Sequence, residues 1–289
     1  MMLFRKFIPA VTLGLTTLVL LGSCDVSKKK KFADSENYNL SSPKVVKLPE
    51  ILDEISGIAY YPRDTSVFAI IDEDGLLFNI PIKSPAATRQ WKFDKKRDFE
   101  EIVLVYSTFY VLVSNGDVER IKFVGEKIET QKSDFSNEAK EVNEFESMYF
   151  SDDSTGLVIL CKSCETDPKK SFSSFKYNFR DSSKSYAPHM SFDMSAIEST
   201  LNVDKHLKAS AAAVHPITKD IYIISSVQKL LVVTSSQGEV KELIQLDPGI
   251  YKQPEGLTFT PEGDLIISNE FANDGFANLL LLKYKKKGK

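Results

Sequence analysis

Five times along the chain a segment recurs with the same layout, and that recurrence restricts the fold more than any other feature. The units are EISGIAYYPRDTSVFAIIDEDGLLFNI from Glu54, DFEEIVLVYSTFYVLVSNGDVERIKF from Asp98, EFESMYFSDDSTGLVILCKS from Glu144, KASAAAVHPITKDIYIISSVQKLLVV from Lys208 and QPEGLTFTPEGDLIISNE from Gln253. Gly57 and Pro62 of the first align with Gly256 and Pro261 of the last, which brings Ser56, Glu100, Glu146, Ser210 and Glu255 into one column at spacings of 44, 46, 64 and 45. Within each unit, runs rich in Val, Ile, Tyr and Phe are divided by turn residues, the composition of strands. A period of about 45 residues carried on strands reads as the blade of a β-propeller. The fold class expected is therefore all-β, with five blades, or six if the longest spacing conceals another.

That longest spacing places an insertion within residues 165–207, where SSFKYNF and MSFDM read as outer strands and residues 194–207 as a short helix. The final unit ends after three strands at Tyr284, while KVVKLPE, residues 44–50, is a strand without a unit. Paired as the outermost strand of the last blade, it closes the ring and removes an exposed sheet edge. The propeller domain then spans 44–289. A net charge of −3 argues against nucleic acid as a partner, and a monomer is expected.

Ahead of the domain, Arg5 and Lys6 precede an apolar run from Phe7 to Leu21. That run is shorter than the ~20 residues that span a bilayer and has the layout of a secretory signal, residues 1–23. Leu21-Gly22-Ser23-Cys24 resembles the bacterial lipobox, so Cys24 is expected to be acylated, for instance with palmitate. Residues 24–43 read as a flexible tether. The chain is then exported and held on a bacterial membrane through its lipid, facing the periplasm or the cell surface. The other two cysteines lie in Cys161-Lys162-Ser163-Cys164. No further ligands of zinc spacing accompany them and no helical pattern follows, which leaves a local disulfide or two unpaired thiols.

Inner strands of a propeller surround its channel, and side chains alternate across a strand with period two. The column of Ser56, Glu100, Glu146, Ser210 and Glu255 and the column two residues earlier, Glu54, Asp98, Glu144, Lys208 and Gln253, should meet at one rim. By the geometry of antiparallel hairpins the ends of the second strands reach the same rim, adding Asp72, Glu73, Asn115, Ser225, Ser226, Asn269 and Glu270. Crowded carboxylates resist ionising together unless a cation intervenes. Oxygen-rich sites without His or Cys suit hard cations, Ca²⁺ above all. Candidate metal ligands are thus Glu54, Asp72, Glu73, Glu100, Glu146, Glu255 and Glu270. Lining the channel mouth with them are Ser56, Asp98, Glu144, Lys208, Ser210, Gln253 and Asn269. The competing reading has these acids capping turns or pairing with Lys208 and nearby arginines. His189, His206 and His215 form no triad pattern and read as surface or packing residues. Trp91 falls on an outer strand.

ISGIAYYP, FAIIDEDG, DFEEI, FESMYF, SAAAVHP, IYIISS and above all QPEGLTFTPEGDLIISNE resemble the SdiA-regulated family of exported bacterial β-propellers, from about Lys44 to Tyr284. The resemblance implies the propeller and export, and little chemistry. That family is similar in architecture to calcium-dependent propeller phytases, which gather phosphate and Ca²⁺ at a carboxylate-lined mouth; the acidic character alone carries over. Two functions follow as expectations. One is a lipid-anchored binding module whose acidic mouth takes a small ligand, a cation or a protein; the other is a calcium-dependent phosphoesterase.

Overall fold

The computed structural model describes residues 32–135, 143–165, 167, 171–179, 186–193, 195, 207–272 and 275–285. The signal peptide, Cys24, His206 and nearly all of the expected helix at 194–207 lie outside them.

Five antiparallel sheets of four strands make the domain, and their innermost strands touch in a closed cycle, Ile55–Tyr61 to Phe99–Val105 to Glu144–Phe150 to Ala211–Val214 to Pro254–Phe259 and back. These are blades 1 to 5 in order. The insertion supplies the third and fourth strands of blade 3, Ser171–Asn178 and Tyr186–Asp193, rather than a sixth blade. In blade 5 the strand Lys44–Lys47 pairs with Asn278–Leu282, Lys44 opposite Leu281, so the N-terminal segment closes the ring as its outermost strand.

Burial is greatest in the second and third strands and least in the outer ones, and the sequence shows why. Second and third strands are sandwiched by neighbouring blades on both faces, so they read as continuous apolar runs: SVFAII at Ser66–Ile71, IYIIS at Ile221–Ser225 and LLVVT at Leu230–Thr234 are buried at every position. Outer strands such as Lys127–Ser133, KIETQKS, are polar and largely exposed. Between blades lie apolar clusters, for example Leu48, Ile55, Val67, Ile266 and Leu279 at the junction of blades 1 and 5.

Part of the segment read as tether is core. Tyr38 and Leu40 are buried among Tyr222, Tyr251, Leu265 and Leu282. The Tyr38 hydroxyl donates to the Gly263 carbonyl at 2.6 Å, and the Tyr251 hydroxyl to the Leu40 carbonyl at 2.9 Å. Its polar residues misled the composition argument because two large side chains suffice to anchor a short segment. His215 is buried in the same place against Tyr38, Tyr222, Phe259 and Tyr284, and its Nδ1 accepts the Thr218 N–H at 3.0 Å. That makes it a packing residue.

A chain beginning at Lys44 keeps the closing strand and loses Tyr38 and Leu40. Burial of two such side chains contributes about 3–6 kcal/mol, and each kcal/mol moves the midpoint of a domain this size by about 2–4 °C. Thermal unfolding should therefore show a drop of about 6–24 °C relative to a chain beginning at Phe32; equal midpoints would show that the segment contributes no stability.

Candidate functional site

Four of the five inner strands enter the ring through a β-bulge at the same repeat position. In blade 2, Phe99 faces Val113 and Glu101 faces Leu112, leaving Glu100 as the extra residue. Glu146 is passed over in the same way in blade 3, between Phe145 opposite Cys161 and Ser147 opposite Leu160. Glu255 occupies that place in blade 5, between Pro254 opposite Asn269 and Gly256 opposite Ser268. Blade 1 places Ser56 and Gly57 against Ile70. In blade 4 the ladder begins with Ala211 opposite Ile224, and the Ser210 N–H also reaches the Ile224 carbonyl at 2.8 Å. A bulge bends its strand and redirects the extra side chain. Repeated in blades 1, 2, 3 and 5, it turns one sequence column toward the ring.

Contacts across that ring join the blades. The Ser56 hydroxyl donates to the Glu100 carbonyl at 2.6 Å, and Ser210 Oγ lies 3.5 Å from Glu146 Oε2. Ser268 Oγ donates to the Ser56 carbonyl at 3.1 Å. Gly256 is required there, since a Cβ would come within 2.6 Å of that carbonyl oxygen.

The charges divide the mouth into two arcs. On blade 3, Lys162 Nζ is 2.9 Å from Glu144 Oε1 and closer still to Glu146. Lys162 lies at the end of the second strand, between Cys161 and Cys164, which form a disulfide. On blades 1, 2 and 5 carboxyls face carboxyls. Glu100 is pushed up to about 8 by burial and by the charges of Asp98 and Asp72, with Lys162 opposing. Asp72, although its side chain reaches solvent, is pushed up to about 7 by partial desolvation, a hydrogen bond with Asp98 and the charges of Asp98, Glu73 and Glu54. Glu270 reaches about 7 through burial and the charges of Glu255 and Asp72, against a hydrogen bond from Gln253. Burial raises Glu255 as well, opposed by Ser226, Lys162, Lys229 and Ser210. Asp98 moves the other way: desolvation opposes its charge, yet hydrogen bonds with Ser114, Asp72 and Glu100 and the Lys162 charge hold it below the usual range. Asp98 is therefore the ionised member, and its neighbours share protons with it.

The structure thus brings together Asp72, Asp98, Glu100, Glu144, Glu146, Ser210, Gln253, Glu255 and Glu270, with Ser56 tied in through the Glu100 backbone. Asn269 is buried and donates to the Ile250 carbonyl, a supporting part behind the rim. Glu54 and Glu73 are exposed and act on the arc through their charge, Glu73 while paired with Lys96. Lys208 is exposed and its backbone N–H reaches Gln228 Oε1 at 3.3 Å; the ammonium that pairs with mouth carboxylates is Lys162, while burial pushes Lys229 below its usual value, Glu255 opposing. Lys162 was within reach of the hairpin argument, because Glu144 is paired with Ser163 one residue on.

A further residue missed is Glu101. It is 1% exposed. Its Oε1 accepts the Ile102 N–H at 3.0 Å, and the backbone N–H groups of Ala212 and Ile58, from blades 4 and 1, are turned to the same carboxyl. A side chain in touch with three inner strands lies on the channel axis. Gly57 makes room for it, since a Cβ there would sit 2.5 Å from Glu101 Oε1. Burial pushes this carboxyl well above the usual range. The aligned positions in the other blades are Gly57, Ser147, Ala211 and Gly256, all small, so one glutamate suffices to close the bore.

Among the described residues, no three of the ring carboxylates bring oxygens within 4.8 Å of one another. The donors that do approach so closely are Cys161, Cys164 and Asp167, and there the two sulfurs are bonded to each other.

The sequence model of the family described as SdiA-regulated matches residues 34–273. No curated protein matches the sequence significantly. Among solved structures, a glutaminyl cyclase of Myxococcus xanthus is similar at 11% identity with a TM-score of 0.57, covering 84% of this chain and 94% of its own. A luciferin-regenerating enzyme is similar at 10% identity with a TM-score of 0.52, covering 84% and 95%. Likeness at this level concerns the fold.

The raised carboxyls carry a pH dependence of stability. Glu100 and Glu270 titrate near 4–5 in an unfolded chain and at about 8 and about 7 in the folded one, so between those limits the folded form holds more protons. Their contribution is complete below the lower limit and is lost as pH rises through the upper one. In metal-free buffer, stability to denaturant should therefore fall between about pH 5 and about pH 8. Glu100→Gln, which never ionises, should lessen that fall; a variant curve parallel to the wild-type curve would remove Glu100 as its source.

Proposed function

The chain belongs to the SdiA-regulated family, whose model spans nearly the whole domain, and from that premise we propose a lipid-anchored binding module of the bacterial cell envelope whose acidic channel mouth captures a cationic group. The observation that carries the reading is the arc of Asp72, Glu100 and Glu270. These are three carboxyls displaced to about 7 or 8 by burial and by neighbouring carboxylates, Asp72 being one of those acting on Glu100 and Glu270. A cation arriving there displaces protons and relieves the repulsion at once.

Ca²⁺ is the inorganic candidate, because the donors are all oxygen. Separations beyond 4.8 Å mean that the arc must draw inward to coordinate it. An ammonium or guanidinium group needs no such contraction, and Lys162 between Glu144 and Glu146 displays how one is accommodated. Either ligand, free or on a partner protein, fits the same chemistry. The phosphoesterase reading gains less: it needs a base to receive phosphate, and Lys162 is already engaged by two carboxylates.

Binding confined to the native state raises the unfolding midpoint. With millimolar CaCl₂, and separately with spermidine, the midpoint should rise at about pH 8 and less at about pH 6, where protons compete; Glu255→Gln should reduce the rise. No movement with either cation would discard the reading. Hydrolysis of p-nitrophenyl phosphate that vanishes in Glu255→Gln would instead favour the phosphoesterase.

Anchoring is tested separately. Metabolic labelling with an alkyne fatty acid should mark the wild-type chain and leave Cys24→Ala unlabelled; labelling of both would dismiss Cys24 as the acceptor.

A further inference from the structure

The inner strands that carry acids at one end of the channel are apolar at the other. There a cavity of about 500 Å³ opens, with all five blades contributing, among them Ile58, Leu104, Phe150, Val214 and Phe259. Its floor is the level of Glu101, because Ile58, Ile102 and Ala212, whose N–H groups face that carboxyl, also line the cavity. A cleft of about 230 Å³ adjoins it at the junction of blades 3 and 4 and shares Tyr149, Ser151, Asp152, Val214 and Lys219 with it. The cleft is polar, but its charges are matched locally. Lys219 Nζ is 3.3 Å from Asp152, and Lys176 Nζ is 2.5 Å from Asp153.

Tyr149 stands where the two spaces meet. It is 4% exposed, and its hydroxyl has no hydrogen-bond partner among the described residues. That sets it apart from other buried tyrosines of this domain, since Tyr38 and Tyr251 donate to carbonyls and Tyr222 accepts from Asn37. A buried hydroxyl left unpaired is costly, and the cost is recovered when an acceptor reaches it.

We infer that this end of the channel is a second binding site, for a small amphiphile with an aliphatic body and a neutral head that accepts a hydrogen bond, such as an amide or ester carbonyl. The apolar walls take the body, and the size suits a small-molecule pocket. Tyr149 donates its O–H to the head, which reaches the hydroxyl by displacing the side chains that cover it at the junction of the two spaces. A charged head is disfavoured because the nearby Lys and Asp side chains already neutralise one another, so neither sign finds a counter-charge. The site is independent of the acidic mouth.

Calorimetric titration of the purified chain with octanamide, octanoate and octylammonium tests this. Octanamide should bind, and the two ions more weakly. Tyr149→Phe keeps the ring and its packing; it should unfold at the wild-type midpoint or above, yet bind octanamide about tenfold more weakly. Ala213→Trp, placed in the cavity wall, should abolish binding; if that variant does not fold, Tyr149→Phe decides alone. Absence of octanamide binding, equal affinity in Tyr149→Phe, octanoate bound as tightly as the amide, or octylammonium bound as tightly and weakened by Tyr149→Phe would each overturn the inference. Octylammonium held equally by wild type and Tyr149→Phe reports the acidic mouth, so the two sites are told apart.

Discussion

Everything about the channel depends on the pairing of Lys44–Lys47 with Asn278–Leu282. Sheets arranged around an axis form a ring only if the first and last are held together; otherwise an edge and an apolar face lie open. Here the closure is layered. The outer ladder is continued by the Leu48 N–H, which donates to the Ala277 carbonyl at 2.9 Å. Beneath it lies the apolar cluster of blades 1 and 5. At the axis the Tyr60 N–H donates to Thr258 Oγ1 at 3.1 Å. The buried anchor of Tyr38 then fixes the strand from the side preceding it. Without this closure the inner strands of blades 1 and 5 have no reason to abut, and Glu255 and Glu270 are not neighbours of Asp72.

Given the ring, the bulges determine its chemistry. A regular strand sends successive side chains to opposite faces, whereas the extra residue of a bulge is turned out of that alternation and can present its side chain at the mouth. Three of the four bulges carry glutamate as the extra residue, Glu100, Glu146 and Glu255. Repulsion among them is answered in two ways. On blade 3 an ammonium is built in, on a strand end fixed by the Cys161–Cys164 disulfide. On blades 1, 2 and 5 the answer is retained protons, with Asp98 held below the usual carboxylate range and Asp72 and Glu100 pushed up to about 7 and about 8. The first arc is complete in itself; the second exchanges protons for a cation when one is present.

Architecture was legible in the sequence because a period of about 45 residues survives divergence that erases individual identities. The blade count, the closing strand and the ring column were all readable from it. The residues that escaped did so for local reasons. Lys162 was hidden in a cysteine motif that drew the eye to sulfur chemistry, although its place on the second strand marked it for the rim. Lys208 belongs to the same column as Asp98 and Glu144, but its exposed side chain makes no ion pair with a mouth carboxylate among the described residues. Glu101 could not be found by column, since its counterparts are glycine, serine and alanine; its signal is that very smallness, the room other blades leave for one large side chain. Tyr38 and Leu40 sit in a polar stretch whose average composition conceals them.

Glu101 also explains how one bore holds two unlike ends. A channel lined wholly with acids would fill with water and ions along its length, and one lined wholly with aliphatic side chains would carry no charge at either end. A carboxyl that accepts the Ile102 N–H and has the Ile58 and Ala212 N–H groups turned toward it separates the two regimes within the thickness of one residue layer. Burial favours its neutral form, so it does not extend the negative field of the acidic mouth into the apolar cavity. A leucine there would block the bore equally well but leave those inner-strand N–H groups facing hydrocarbon, and a buried unpaired donor is costly. Glutamate is the residue that fills the space and accepts from the backbone together.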